Sequence, residues 1–184
     1  MKTLFETALS ELRAVAVNLD EDALETACRM IAVGGKVVLY GCGREGLQLR
    51  GFAMRLHHLG LEVAMQGDMA VPPVGRGDLL LASAGPGELS TVTALMRVAG
   101  DAGAQVLFLT AEPETPSAEL ADFVLAIPAQ TMARDRADAA SSVLPMGSVY
   151  EGALFLMFEI MVLRLRDMLG ETPQTMRARH TNLE

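Results

Sequence analysis

The stretch KVVLYGCGREGLQL, from Lys36 to Leu49, constrains the fold more than any other part of the chain. Apolar residues run from Val37 to Tyr40, Gly41 and Gly43 follow, and apolar residues then recur at helical spacing. This order predicts a strand, a tight glycine turn and a helix. Glycine lets a backbone approach a ligand, and a helix start directs unpaired N–H groups into the same space. The stretch indicates an anion-binding turn, although a plain βα loop that needs glycine explains the same residues.

A dinucleotide-binding fold is another explanation of the GxGxxG spacing. In that fold an acidic residue about 20 positions further on ends the second strand and binds the ribose. Here Gln66 follows the predicted second strand, and Asp68 comes two residues later. The sequence therefore gives only weak support to nicotinamide binding.

An alternation of strands and helices continues along the chain. Strands are predicted at 37–40, 61–65, 79–82, 105–110 and 123–127, because near-continuous apolar runs separated by helical patterns are typical of a parallel sheet covered on both faces. Two helices precede the first strand, and Asp20 is the predicted N-cap of the second. Ser90 or Thr91 is the predicted cap of the helix after the third strand. We expect an α/β fold, a three-layer αβα sandwich with five parallel strands, as one domain over residues 1–184.

The glycine-bearing segment AGPGELS follows the third strand, so two such turns lie at the carboxyl edge of the sheet, where ligands bind in folds of this kind. The net charge of −8 and the lack of a basic run argue against a nucleic-acid partner. The first residues lack the apolar core of a signal peptide, and Cys28 and Cys42 are the only cysteines. We expect a cytoplasmic protein with free thiols and no metal site, since no residue cluster has metal-ligand spacing.

The last predicted helix, 148–169, is apolar on every side. Charged residues at Glu151, Glu159, Arg164 and Arg166 interrupt the ~20 apolar residues that a membrane span requires. One open sheet covers only part of such a helix, so we expect the rest to lie in a subunit interface of a symmetric oligomer. The alternative is a central helix of a monomer core. The segment 128–142 is predicted to be an exposed loop.

Several motifs together resemble one family. They are GRxGxxxxxFAMRLxHLG from Gly43, PMGxxxE up to Glu151, and RHxNLE from Arg179. Over essentially its whole length the chain is similar to the 6-phospho-3-hexuloisomerase family of sugar isomerase (SIS) domains. The resemblance implies isomerisation of 3-hexulose 6-phosphate to fructose 6-phosphate in the ribulose monophosphate pathway. It also implies a homotetramer of flavodoxin-like domains with active sites near subunit boundaries, and no metal or organic cofactor.

Moving a carbonyl between C2 and C3 requires a base and a polar group that handles the oxygens of an enediol. Glu151 is the candidate base, because partial burial at the start of the apolar helix can raise its pKa and because it matches the family's glutamate. The alternative is that it only complements the helix N-terminus. His180 is the candidate polar partner on the strength of the resemblance. His57 and His58 are predicted to be packing or interface residues.

Substrate contacts are predicted for the two glycine turns and their neighbours: Gly41, Gly43, Arg44, Glu45, Ser83, Gly85, Gly87, Glu88 and Ser90. Compared with the family patterns GxGRSG and SGSGET, Glu45 replaces a serine, and Ala84, Pro86 and Leu89 replace hydroxyl residues that help to hold phosphate. Ser83, Ser90 and Thr91 are candidates to replace those hydroxyls. We expect Glu45 to turn outward, with Arg44 and backbone N–H groups holding phosphate. The alternative is a Glu45 that enters the cleft, pairs with Arg44 and takes the place of the anion.

Three functions are therefore open. The first is an isomerase of a phosphorylated ketose, an intramolecular oxidoreductase. The second is an isomerase whose sugar has a different anionic group or none, and the third is a SIS protein that binds sugar phosphate without turnover.

Overall fold

The computed structural model describes residues 1–135 and 142–183. One parallel sheet contains β1 Lys36–Gly41, β2 Glu62–Met65, β3 Leu79–Ser83, β4 Gln105–Thr110 and β5 Phe123–Ala126. The helices are α1 Lys2–Ala16, α2 Glu21–Val33, α3 Gly43–His58, α4 Ser90–Asp101, α5 Ser148–Leu169 and α6 Pro173–Ala178, and a 3₁₀ turn spans Ala118–Leu120. The strand order β2-β1-β3-β4-β5 confirms the predicted five-stranded parallel sheet.

The sheet has an apolar layer on each face because side chains alternate along its buried strands. One face packs against α2, α3 and α5, through strand residues that include Val37, Leu39, Leu79, Leu81, Leu107 and Leu109. The opposite face packs against α4, through Val38, Leu80, Ala82, Val106 and Phe108. Phe52 of α3 stacks on Phe158 of α5 with ring centroids 4.2 Å apart. The predicted αβα sandwich is therefore confirmed.

The helix starts match the predictions from the sequence in one case and differ from them in two. Asp20 caps α2, and its carboxylate accepts a hydrogen bond from Ala23 N at 3.0 Å. The predicted cap of α4 is wrong, since Leu89 occupies the N-cap position and Ser90 is already helical. Helix α6 was not predicted, although Thr172 and Thr175 form a capping box around Pro173, which is a recognisable start signal.

The predicted loop is described only in part. Residues 128–135 and 142–147 contain no helix or strand. The remaining loop residues, 136–141, and Glu184 of the C-terminal motif lie outside the described residues.

Helix α5 is buried on one side and exposed on the other. Val149, Tyr150, Ala153, Leu154, Met157, Phe158, Met161, Val162 and Leu165 are buried within the chain. Four large apolar side chains point away from the core, with exposures of 43 to 59 %: Phe155, Leu156, Ile160 and Leu163. We call these four residues the α5 stripe. The alternative of a central helix enclosed by its own chain is thus wrong, and the subunit interface stays a prediction. Within residues 1–135 and 142–183, no helix combines the length and apolar content that crossing a membrane requires.

We predict that the α5 stripe holds subunits together. Phe155→Glu should leave the single chain folded, because Phe155 is 56 % exposed there, but should dissociate an oligomer that buries it, since an unpaired buried carboxylate costs several kcal/mol. Light scattering gives the mass and circular dichroism the fold. Val98→Glu, at a 63 % exposed position on α4, is the matched control. A monomeric mass for the unaltered protein would refute the prediction.

Candidate functional site

The two glycine turns meet at the carboxyl edge of the sheet. Gly41 at the end of β1 pairs with Ser83 at the end of β3. Helix α3 leaves β1 on one face of the sheet, and α4 leaves β3 on the other. Chains that diverge in this way open a crevice between two neighbouring strands, which is where open α/β sheets bind ligands.

Glu45, in the first turn of α3, points into this crevice. Its carboxylate accepts a hydrogen bond from Ser83 Oγ at 2.5 Å and from Gly85 N at 3.0 Å. The predicted outward orientation is therefore wrong. Ser83 and Gly85 are both buried, so an outward Glu45 would leave the Gly85 N–H without this acceptor and Ser83 Oγ with the Tyr150 hydroxyl at 3.3 Å in its place. A buried donor without an acceptor is costly.

Burial raises the pKa of Glu45, and the hydrogen bonds from Ser83 and Gly85 only partly oppose that rise. The charge of Glu151 raises the pKa of Glu45 further. Tyr150 is fully buried beside this group, with its hydroxyl 3.3 Å from Ser83 Oγ, and burial raises its pKa well above the ordinary value. The floor of the crevice thus contains a hydrogen-bonded group of polar atoms from Glu45, Ser83, Gly85 and Tyr150.

Arg44 turns away from Glu45 and contacts the start of α5. Its Nη2 lies 3.0 Å from Glu151 Oε2, and its Nη1 donates to Ser148 Oγ at 2.9 Å. It also donates to the carbonyl of Met146. The alternative in which Arg44 pairs with Glu45 is therefore wrong. Burial raises the pKa of Glu151, while the positive charge of Arg44 lowers it, and burial has the larger effect.

The PMG motif builds the turn that precedes α5. Met146 has φ of 57° and Gly147 has φ of 82°, so two consecutive residues adopt the left-handed conformation. A side chain at Gly147 would place Cβ 2.9 Å from Met132 N, which explains the glycine. A positive φ at Met146 is uncommon for a non-glycine residue and is typical of functional turns. The turn directs the Met146 carbonyl toward Arg44.

A cavity of about 350 Å³ lies between these groups. Its polar lining comes from Cys42, Arg44, Glu45, Thr131 and Glu151, and its apolar lining from Pro86, Leu89, Met132, Met146 and Tyr150. The described residues contain no group of three His, Cys, Asp or Glu side chains that could hold a metal ion.

Sequence reasoning identified only part of this cavity. Gly43, Arg44, Glu45 and Glu151 line it, as the sequence suggested. Gly41, Ser83, Gly85 and Gly87 belong to the turns, whereas Glu88 and Ser90 are exposed and are not part of the lining. Thr131 and Tyr150 were missed. Tyr150 directly precedes Glu151, so its hydroxyl was a detectable signal, but nothing in the sequence pointed to Thr131.

His180 lies elsewhere on the chain. Its ring stacks on His58 with centroids 5.3 Å apart, at the C-terminal end of α3. Arg44 is in the first turn of that helix, and 14 residues of α-helix extend about 21 Å. His180 lines a different cavity, of about 440 Å³, together with Val162, Leu163 and Arg166 of α5. A single chain therefore does not bring Glu151 and His180 together.

Arg179 fixes the segment that contains His180. It donates to Glu171 from both Nη atoms at 2.8 Å, and to the carbonyl of His58 at 3.0 Å. A side chain at Gly60 would come within 2.9 Å of the Arg179 guanidinium, so this glycine permits the contact. His58 is buried, as predicted for a packing residue. In the RH pair of the C-terminal motif, Arg179 thus has a structural role, and His180 is exposed.

Comparison with known proteins agrees with this architecture. The SIS domain family profile matches residues 30–157. A 3-hexulose-6-phosphate isomerase from Mycobacterium gastri is 36 % identical over 95 % of this chain and 86 % of its own length. A protein of the same name from Methylomonas aminofaciens is 32 % identical over 97 % of both chains.

A solved structure supports the fold independently. A Methanococcus jannaschii protein, whose structure was described as inferring a molecular function of 3-hexulose-6-phosphate isomerase, superposes with a TM-score of 0.81. The two are 24 % identical, and the match covers 99 % of this chain and 98 % of that one. From the profile match and these two relatives, each more than 30 % identical, we conclude that the chain belongs to the SIS domain family.

Proposed function

We propose that this chain is a sugar-phosphate isomerase that interconverts 3-hexulose 6-phosphate and fructose 6-phosphate. Relatives that carry the isomerase name align with nearly the whole chain. Within the molecule, the observation that carries the proposal is Glu151, a cavity-lining carboxylate whose side chain is only 15 % exposed. Burial raises its pKa toward the range in which a carboxylate exchanges protons effectively.

The reaction needs one proton to move between adjacent carbons. Glu151 removes the proton from C2 of the 3-ketose, and the electron pair forms a 2,3-enediolate. The same carboxyl group returns the proton to C3, while the hydroxyl proton on O2 leaves and O3 gains one, which places the carbonyl at C2. Arg44 borders the cavity beside Glu151, so its charge favours the negative oxygen of the enediolate.

His180 is proposed to act on the substrate oxygens of a neighbouring subunit. Within one chain it lies at the opposite end of α3 from Arg44, yet it is exposed and next to Leu163 of the α5 stripe. A symmetric partner that covers the stripe would bring its own His180 segment against this chain. We infer a homotetramer whose active sites are shared between subunits.

We further infer that the whole chain forms one SIS domain, since α1 and α2 pack on α5 rather than apart from it. A cytoplasmic location and a role in the ribulose monophosphate pathway follow from the proposed reaction.

Cys28 and Cys42 are both free thiols, and burial raises the pKa of Cys28 to about 12, which keeps it unreactive.

The first test of the mechanism removes the base. Glu151→Gln keeps the shape of the side chain but cannot accept a proton, so kcat should fall at least ~100-fold with little change in KM. Turnover is measured by the formation of fructose 6-phosphate. Glu159→Gln on the same helix, where Glu159 pairs with Arg55 at 3.1 Å, is the control and should retain activity. Full activity of Glu151→Gln would sink the mechanism, and a lowered melting temperature would favour the helix-start role.

The second test uses pH. Glu151 must be ionised to act, so kcat/KM should fall as the pH drops through its pKa, which burial raises above the ordinary 4.5. Arg44 opposes that rise, so Arg44→Met should move the acid limb of the profile to higher pH. The profile of kcat/KM is measured from about pH 4 to 8, where it reports ionisation in the free enzyme. Arg50→Met, which removes an exposed arginine of α3, should leave the limb in place.

The third test concerns the shared site. Glu151→Gln and His180→Ala subunits are each expected to be nearly inactive alone. When the two are co-expressed in equal amounts, about a quarter of the sites should combine an intact Glu151 with an intact His180 from the other subunit. Activity is measured on mixed oligomers purified through two different tags. If both residues of a site came from one chain, mixing would restore nothing.

A further inference from the structure

The turn after β3 holds an acceptor that belongs to the protein itself. Ser83 Oγ and Gly85 N both direct their hydrogens at the Glu45 carboxylate. A side chain at Gly85 would place Cβ 3.1 Å from Glu45 Oε1, Thr131 Cγ2 and the Tyr150 ring, so the absence of a side chain there lets Glu45 lie against the turn. The Ser83 and Gly85 donors of this turn are therefore already used by the protein itself.

The side chains beside this turn add few donors for an anion. A phosphate group presents three strong acceptor oxygens. Arg44, the cationic side chain of the lining, is engaged with Glu151, Ser148 and the carbonyl of Met146. Pro86 has no N–H, and Leu89 has no polar side-chain atom. Two carboxylates against one guanidinium also leave this end of the cavity negative.

The same cavity is rich in acceptors. The carboxylates of Glu45 and Glu151 have lone pairs to spare, since a carboxylate accepts about four hydrogen bonds. Thr131 lines the cavity next to Gly85 through its methyl carbon, whereas its hydroxyl oxygen is enclosed by protein and does not reach the cavity surface. The acceptors that face a ligand here are therefore the two carboxylates.

We propose that Glu45 forms a subsite at the turn after β3 that binds the neutral hydroxyl groups of a sugar and excludes phosphate. The Glu45 carboxylate accepts a hydrogen bond from a sugar hydroxyl. A phosphate ~5 Å from this carboxylate would bind on the order of a hundredfold more weakly at an effective dielectric near 20. Glu45 thus determines which ligand groups this turn accepts. This inference rests on the proposed function only in that the cavity takes a sugar.

The test compares binding of inorganic phosphate, fructose 6-phosphate and fructose by calorimetry and thermal shift in a phosphate-free buffer. Glu45→Ser removes the carboxylate and frees Ser83 and Gly85, so the affinity for both phosphate compounds should rise at least ~tenfold, while that for fructose stays level or falls. Glu45→Gln retains the shape and loses the charge, and should also gain affinity for phosphate. Glu114→Ser, an exposed glutamate at the same edge of the sheet, is the control and should change affinity less than about threefold.

Unchanged phosphate affinity in both folded Glu45 variants would overturn the inference for Glu45. These are binding measurements, so they stand apart from turnover. If wild-type protein fails to isomerise 3-hexulose 6-phosphate while the Glu45 variants gain phosphate affinity, the proposed reaction fails and the subsite stands.

Discussion

One buried carboxylate joins the two turns on which the cleft depends. Glu45 belongs to the first turn of α3, yet its partners, Ser83 and Gly85, belong to the turn after β3. Both donors are buried and the carboxylate accepts from both, so it satisfies polar groups whose burial costs stability when they are unpaired. The same contact fixes the floor of the cavity and decides which ligand groups it accepts. Structure and specificity therefore depend on one side chain.

Adjacent residues of α3 contact different parts of the fold because a helix turns by about 100° per residue. Glu45 faces β3, while Arg44 faces the turn that begins α5 and contacts Glu151. To neutralise Glu45, Arg44 would have to leave Glu151. Burial already raises the pKa of Glu151, and the charge of Arg44 opposes that rise. The cavity therefore has two carboxylates and one guanidinium, and the guanidinium contacts Glu151. Such an environment suits proton transfer and hydroxyl recognition better than it suits a dianion.

The sequence predicted the sheet, the layers and most element bounds, because apolar runs and glycine turns are local signals. The orientation of Glu45 was predicted wrongly because the helix-start preference considers only the helix itself. The donors that attract Glu45 lie 38 and 40 residues further along the chain, and no local rule contains them. Thr131 was missed for the same reason, since its place beside Gly85 depends on how the loop after β5 returns to the cleft. Residues whose partners are distant in sequence require the structure.

Helix α5 links the candidate base to the candidate interface. Glu151 stands in its first turn, the α5 stripe follows, and Val162, Leu163 and Arg166 near its end share a cavity with His180. If two copies cover their stripes about a twofold axis perpendicular to the helix, the two α5 helices run antiparallel. The first turn of one helix then lies beside the last turns of the other. Burial of the α5 stripe would drive association, and the antiparallel pairing of the helices would bring His180 of one subunit toward Glu151 of the next.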